Sequence, residues 1–168
     1  MEKKEFCSES EEKIALLEEK MLRLGQLENT GEVNEGMINT VFDSVPIPLF
    51  YKDANGIYQH CNEAFAEIIL GLKKENIIGN SLYDLVESIP KSRADGYHYK
   101  DEEIFKQGKL QDYEAKVQCA DGVARYYHFH KIPFAANNKI LGIFGFMFDV
   151  SQYKRVLLEL DKMNAILI

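Results

Sequence analysis

The chain has 168 residues, 46% hydrophobic and 28% charged, with 27 acidic against 20 basic side chains and a formal charge of −7. That is one domain with flanking segments and enough apolar mass for a core, which excludes wholesale disorder. The acidic balance argues against an electrostatic nucleic-acid binder, because phosphate contacts need clustered Lys and Arg.

The acid is unevenly spread. Residues 1–36 hold ten acids and five bases, while the rest of the chain holds 17 and 15, so the body is nearly neutral. The 11% aromatic content of the chain, nearly all of it in that body, points instead to apolar recognition. Cys7, Cys61 and Cys119 have long, irregular spacing and form neither a disulfide framework nor a paired metal motif. No apolar run approaches the roughly 18–20 residues of a membrane helix, and the N-terminus lacks a signal-peptide core. The expectation is a soluble, cytoplasmic protein.

Residues 1–36 read as an acidic helical arm and linker. From Glu9 to about Glu28 the pattern is helical, with Ile14, Leu17, Met21 and Leu24 at coiled-coil spacing. The stretch is short for a coiled coil, so two readings stand: a dimer seam, or a helix lying on its own domain. Asn29–Gly36 reads as a linker.

The body, residues 37–150, opens with a short helical entry from Met37 to Ser44. A strand at Leu49–Lys52 turns through Asp53-Ala54-Asn55-Gly56 into its partner at Ile57–Cys61. Asn62 is placed to cap a helix at Glu63–Leu70 that stops at Gly71. Short helical pieces follow at Lys73–Ile77 and Leu82–Ser88, then a longer helix at Tyr99–Gln107 closed by Gly108. Three strands finish the body: Leu110–Cys119, Val123–Phe134 and Ile140–Val150, joined at Asp121-Gly122 and Asn137-Asn138-Lys139. The order gives an α+β fold, a five-stranded antiparallel sheet with helices on one face plus flanking N- and C-terminal helices.

Residues 151–168 are helical again. Tyr153, Val156, Leu160, Met163 and Leu167 keep a heptad seam that runs to the end of the sequence. A seam that runs on without a cap or breaker predicts a linker to a further segment.

At this point the residues resemble a family. Phe50-Tyr51-Lys52-Asp53 with Gly56, Asn62-Glu63-Ala64-Phe65, Gly71 and Ile78-Gly79 come in the order and spacing of a PAS domain. Tyr113-Glu114, Asp121-Gly122, Phe129-His130-Lys131, Gly142, Gly145 and Asp149-Val150-Ser151 complete the match over residues 38–153. The type resembled is the sensory one of bacterial kinases and diguanylate cyclases. The resemblance implies a small-molecule cavity between the sheet and its helices. It also implies relay through terminal helices in a homodimer, since a helical seam has discrete registers.

Alternation and the resemblance put Phe50, Lys52, Tyr113, Ala115, Val117, Tyr127, Phe129, Lys131, Ile143, Gly145 and Met147 on the inner sheet face. Phe65 faces them from the helix side. This set either forms an apolar ligand pocket with a few polar handles or simply fills a core. Lys52 and Lys131 either pair with a ligand carboxylate or snorkel to solvent. Phe144, Phe146 and Phe148 share the other face of the last strand, which must be covered by the N-terminal helix or by a second subunit.

Other chemistry is weaker. His128 and His130 share an outward face without a third ligand nearby in sequence, so they read as surface histidines and no metal site is expected. His98 lies near the haem-ligand place of oxygen-sensing relatives, but shifted by about one position, which turns it away. Leu82 stands where light-sensing relatives carry their reactive cysteine, so no flavin adduct is expected. Cys61 is either a redox thiol or a small buried hydrophobe. Asp101-Glu102-Glu103 read as a solvated helix face. No phosphate-binding loop or catalytic constellation is present, so the chain is not expected to be an enzyme, and its cofactor is unknown. The leading expectation is a ligand-binding sensory module. The alternatives are a constitutive dimerisation or docking module, and a haem-based gas or redox sensor.

Overall fold

A computed structural model describes residues 12–23, 26 and 35–166. Helix α1 covers residues 12–23, and α2 (Glu35–Asp43) begins at the end of the expected linker. Strands β1 (Leu49–Asp53) and β2 (Tyr58–Cys61) form the first hairpin. A wide-turn helix at Ala64–Leu70 and a single turn at Lys74–Asn76 follow. Helix α3 runs over Lys91–Gln107, and β3 (Gln111–Gln118), β4 (Ala124–Ala136) and β5 (Lys139–Asp149) form the meander. Helix α4 occupies Ser151–Ile166.

Turn chemistry fixes the boundaries. In the β1–β2 turn, Gly56 takes φ 78° and the Asp53 carboxylate accepts from the Asn55 and Ile57 N–H groups. Asn137 and Asn138 both sit at positive φ (51° and 61°), the paired left-handed geometry that suits a two-residue hairpin. Asn62 does more than cap. Its carboxamide oxygen accepts from the Leu49 and Phe65 N–H groups, and its nitrogen donates to the Val45 and Ile47 carbonyls. Asn62 is fully buried, Leu49, Phe65 and Val45 are buried too, and Ile47 is half-buried, so the α2–β1 lead-in is tied to the following helix.

Two expectations differ. Helix α3 starts at Lys91, directly after Pro90, and not at Tyr99. Asp95-Gly96 are poor helix formers, but the stripe Ala94, Tyr97, Asp101 and Ile104 packs on the sheet, and that burial outweighs the propensity cost of about 1 kcal/mol. The segment expected as a helix at Leu82–Ser88 is instead a run of turns, with the Asp84 carboxylate accepting from the Ser81 N–H and hydroxyl.

The sheet order is β2-β1-β5-β4-β3, antiparallel throughout. It has two buried faces. On the inner face Phe50, Phe129 and Met147 pack against Phe65, Ile69, Leu82 and Ala94. On the outer face Leu49, Ile132, Phe134, Phe144 and Phe146 pack against Met21 of α1 and Ile38 and Phe42 of α2. The phenylalanine face is therefore covered by this chain's own helices. Phe148 and Leu17 join at the margin, Ile14 is half-buried, and Leu24 lies outside the described residues.

Candidate functional site

Three charged side chains meet inside the molecule. β1 alternates Leu49 and Tyr51 outward with Phe50 and Lys52 inward, and β4 brings Lys131 to the same side through β5. Helix α3 supplies Asp101 from the stripe that faces the sheet. Asp101 Oδ2 accepts from Lys52 Nζ at 2.8 Å, and Oδ1 accepts from Lys131 Nζ at 2.5 Å. The three residues are 2%, 5% and 1% exposed for Lys52, Asp101 and Lys131, so neither lysine snorkels to solvent. Nor is Asp101 part of a solvated face, because it shares the buried stripe of α3 with Ala94 and Ile104.

Aromatic rings complete the surroundings of the ammonium groups. Lys52 Nζ lies 4.8 Å from the Tyr58 ring centre, and Lys131 Nζ lies 5.5 Å from that of Tyr113. Such contacts recover part of the lost hydration. Burial alone raises the Asp101 carboxyl, but the two lysine charges and their hydrogen bonds outweigh it and hold it below its ordinary range. Burial pushes the Lys131 ammonium down to about 8, with Asp101 opposing and Lys52 reinforcing that fall. Two cations share one carboxylate, so the interior carries an excess of positive charge.

A cavity of about 50 Å³ opens beside this triad. It holds space for a few waters, against the several hundred Å³ typical of small-molecule sites. Of the expected residues, Phe50, Lys52, Phe65, Val117, Phe129, Lys131 and Met147 line it. Tyr113, Ala115 and Tyr127 pack into the surrounding core, and Ile143 is fully buried in the sheet, but none of these four reaches the cavity wall. Gly145 acts by its lack of a side chain. A Cβ there would stand 2.1 Å from Phe50 Cζ, so the Phe50 ring lies directly on β5.

The expected set missed Tyr58 on the edge strand β2, and the residues that come from outside the sheet: Ile89, Arg93 and Tyr97, among others. Arg93 is exposed and stands at the mouth. The Tyr113 hydroxyl is buried and has no hydrogen-bond partner, although its ring stacks on Phe129 at 4.9 Å. Among the described residues it and Gln111 Oε1 are the buried side-chain polar atoms left unpaired.

The remaining candidates lie elsewhere. His98 is on the open face of α3, 3.5 Å from Glu102 and edge-on to Tyr83, away from the cavity. Cys61 is 1% exposed, and burial pushes its thiol up to about 12, which suits the hydrophobe reading and opposes a reactive thiolate. His130 is buried rather than superficial. On α4, Tyr153, Val156, Leu160 and Met163 are all at least 40% exposed, and Leu167 lies outside the described residues. The helix is fastened at its start: Asp149 accepts from the Ser151 N–H at 2.9 Å, Ser151 Oγ accepts from the Tyr126 N–H at 2.9 Å, and Lys154 pairs with Glu114. No described helix is long and apolar enough to cross a membrane.

Solved structures share this fold. The PAS domain of Bordetella pertussis BvgS is 18% identical, with a TM-score of 0.61 over 76% of this chain and 94% of that one. Vibrio cholerae VqmA is 23% identical, with a TM-score of 0.60 over 72% of this chain and 53% of that one, so the chain spans about half of VqmA. One VqmA structure is described as bound to DPO. An RNA-binding light-oxygen-voltage receptor, 15% identical, has a TM-score of 0.61 over 78% of this chain and 36% of that one. No curated protein sequence matches the chain. The family model for the PAS fold matches residues 42–155, from the end of α2 to the start of α4. With the five-stranded sheet, the inner cavity and the closing Asp149-Val150-Ser151 junction all inside that span, the chain belongs to the PAS-fold family of sensory domains.

Proposed function

We propose that this PAS domain senses a small ligand bearing a carboxylate or another strong hydrogen-bond acceptor, held at Lys52 and Lys131 in the inner cavity. The observation that carries this reading is the buried excess of positive charge. Two ammonium groups share one carboxylate in a space that apolar side chains would fill at lower cost. Entry of such a ligand requires the Ile89–Tyr97 side of the cavity to move outward, because about 50 Å³ holds only waters.

Movement there has a mechanical outlet. Lys131 lies on β4, and β4 begins and β5 ends beside the Tyr126–Ser151 and Asp149–Ser151 hydrogen bonds that set the start of α4. The exposed α4 seam suits a coiled coil with a second copy, and a change of its register would pass to an output domain. The chain itself acts as a non-catalytic bacterial module in the cytoplasm.

The small cavity favours a second reading, a constitutive dimerisation module whose interior is simply filled. Native mass spectrometry of the chain purified from its producing cells separates the two. The sensory reading expects a small-molecule adduct on the parent chain that is absent from Lys131→Met. A bare mass on the parent chain would leave constitutive docking. Val156→Glu/Leu160→Glu tests the seam: both side chains are exposed, so the fold survives, and sizing shows a monomer if α4 holds the dimer.

A further inference from the structure

At the outer edge of the sheet, away from the cavity, three ligating atoms converge. The β3–β4 register sets Asp112 directly opposite His130, and His128 lies two residues back on the same face. Asp112 Oδ1 is 2.9 Å from His128 Nε2 and 2.5 Å from His130 Nδ1, and the three ligand atoms all lie within 4.8 Å of one another. The second nitrogen of His130, Nε2, contacts the Glu18 carboxylate of α1.

We propose that Asp112, His128 and His130 form a site for a divalent transition-metal ion of the zinc class, with Glu18 as the carboxylate behind His130. Two imidazoles and one carboxylate are a donor set that such ions prefer over the hard, all-oxygen ions. Both His130 ring nitrogens face carboxylates, so a metal ion would take the place of the proton between Nδ1 and Asp112, while Nε2–H goes on donating to Glu18, and a carboxylate on the far nitrogen is the usual companion of a metal-bound histidine.

The geometry needs little change. Metal–ligand bonds of about 2.0–2.2 Å put tetrahedral ligand atoms about 3.3–3.6 Å apart, so the two Asp112 contacts would open by about 1 Å or less, while the two imidazole nitrogens already lie within 4.8 Å of each other. The Asp112 and His128 side chains can move, being 43% and 31% exposed, while that of His130, 7% exposed, is the fixed member. Their exposure also leaves a coordination position open to water. Because Glu18 belongs to α1, an ion held here would tie the N-terminal helix to β3 and β4. The cavity and its triad take no part, so loss of ligand binding and loss of metal binding are separable results.

Calorimetric titration of the full chain with Zn²⁺ alone tests this. One equivalent is expected, weakened at least about 10–100-fold by His128→Gln or Asp112→Asn, with Glu18→Gln milder and His98→Ala without effect. Zn²⁺ is also expected to slow amide exchange over residues 12–23 in the parent chain. Absent binding, or binding that survives both His128→Gln and Asp112→Asn unchanged, overturns the site. Paramagnetic Co²⁺ gives a second reading that needs no variant: the imidazole signals of His128 and His130 must shift together, and shifts confined to His60 or His98 overturn it equally.

Discussion

The two faces of one sheet are built on opposite principles. On β5, Phe144 and Phe146 point to a dry outer face that α1 and α2 seal with Met21, Ile38 and Phe42. The residues between and beyond them, Gly145 and Met147, point to an inner face with two lysines, a carboxylate, an unpaired tyrosine hydroxyl and a cavity. Alternation makes such a division possible within three consecutive residues. The outer face has the composition of a structural core, dominated by tilted and edge-on aromatic pairs such as Tyr51–Phe144 at 4.7 Å. The inner face keeps charges whose burial costs stability, and that asymmetry is why function is assigned there.

The sharpest way to break the comparison is Asp101→Ala. It strands two buried ammonium groups and is expected to cost about 3–5 kcal/mol in urea denaturation, whereas replacing all three charges by apolar residues is near neutral or stabilising. A cost below about 1 kcal/mol for Asp101→Ala would mean that water enters the inner face freely. The same carboxylate gives a pH signature. Its folded value lies below its ordinary 3.8, so its contribution is complete at higher pH and is lost as pH falls through the folded value. Asp101→Asn should flatten that acid limb of the stability profile.

On the outer face, Met21→Ala removes a fully buried side chain and should cost about 2–3 kcal/mol. Hydrogen exchange should show α1 released while the sheet stays protected; a general loss of protection would mean that α1 is integral to the domain. Gly145→Ala sets a Cβ against the Phe50 ring and is expected to cost about 1–3 kcal/mol by forcing that ring off β5. If it is neutral, the inner face is looser than its packing. The smallest effect is expected for Tyr113→Phe. Deleting a buried hydroxyl without a partner should change stability by less than about 1 kcal/mol, in either direction. A loss well above that would mean that the hydroxyl is hydrogen-bonded to water or ligand.

Legibility followed the range of the interactions. The hairpins at Asp53–Gly56 and Asn137–Asn138 and the shared face within each strand follow from turn chemistry and period two, which are local, while the PAS resemblance implies that Phe50, Lys52, Phe129, Lys131 and Met147 face inward. Asp101 shows where local reading fails. With α3 begun at Tyr99 it sits among Glu102 and Glu103 and looks solvated. Begun at Lys91, the stripe Ala94, Tyr97, Asp101 and Ile104 sets it at a core position, where an acid must meet bases. Ala94 and Ile104 were the signal available, two apolar residues at helical spacing on either side of it.

The sequence by itself determined the α+β fold, the family, the alternation of each strand and the presence of two lysines on an inward face. Only the tertiary structure decided what those lysines meet, that α1 and α2 cover the phenylalanine face in this chain, and that Asp112 stands beside His128 and His130. Turns and alternation are set by neighbours in sequence. The salt-bridged triad joins residues 49 and 30 positions apart, and the histidine cluster joins strands 16 and 18 positions apart, so each exists only once the register of the sheet is formed.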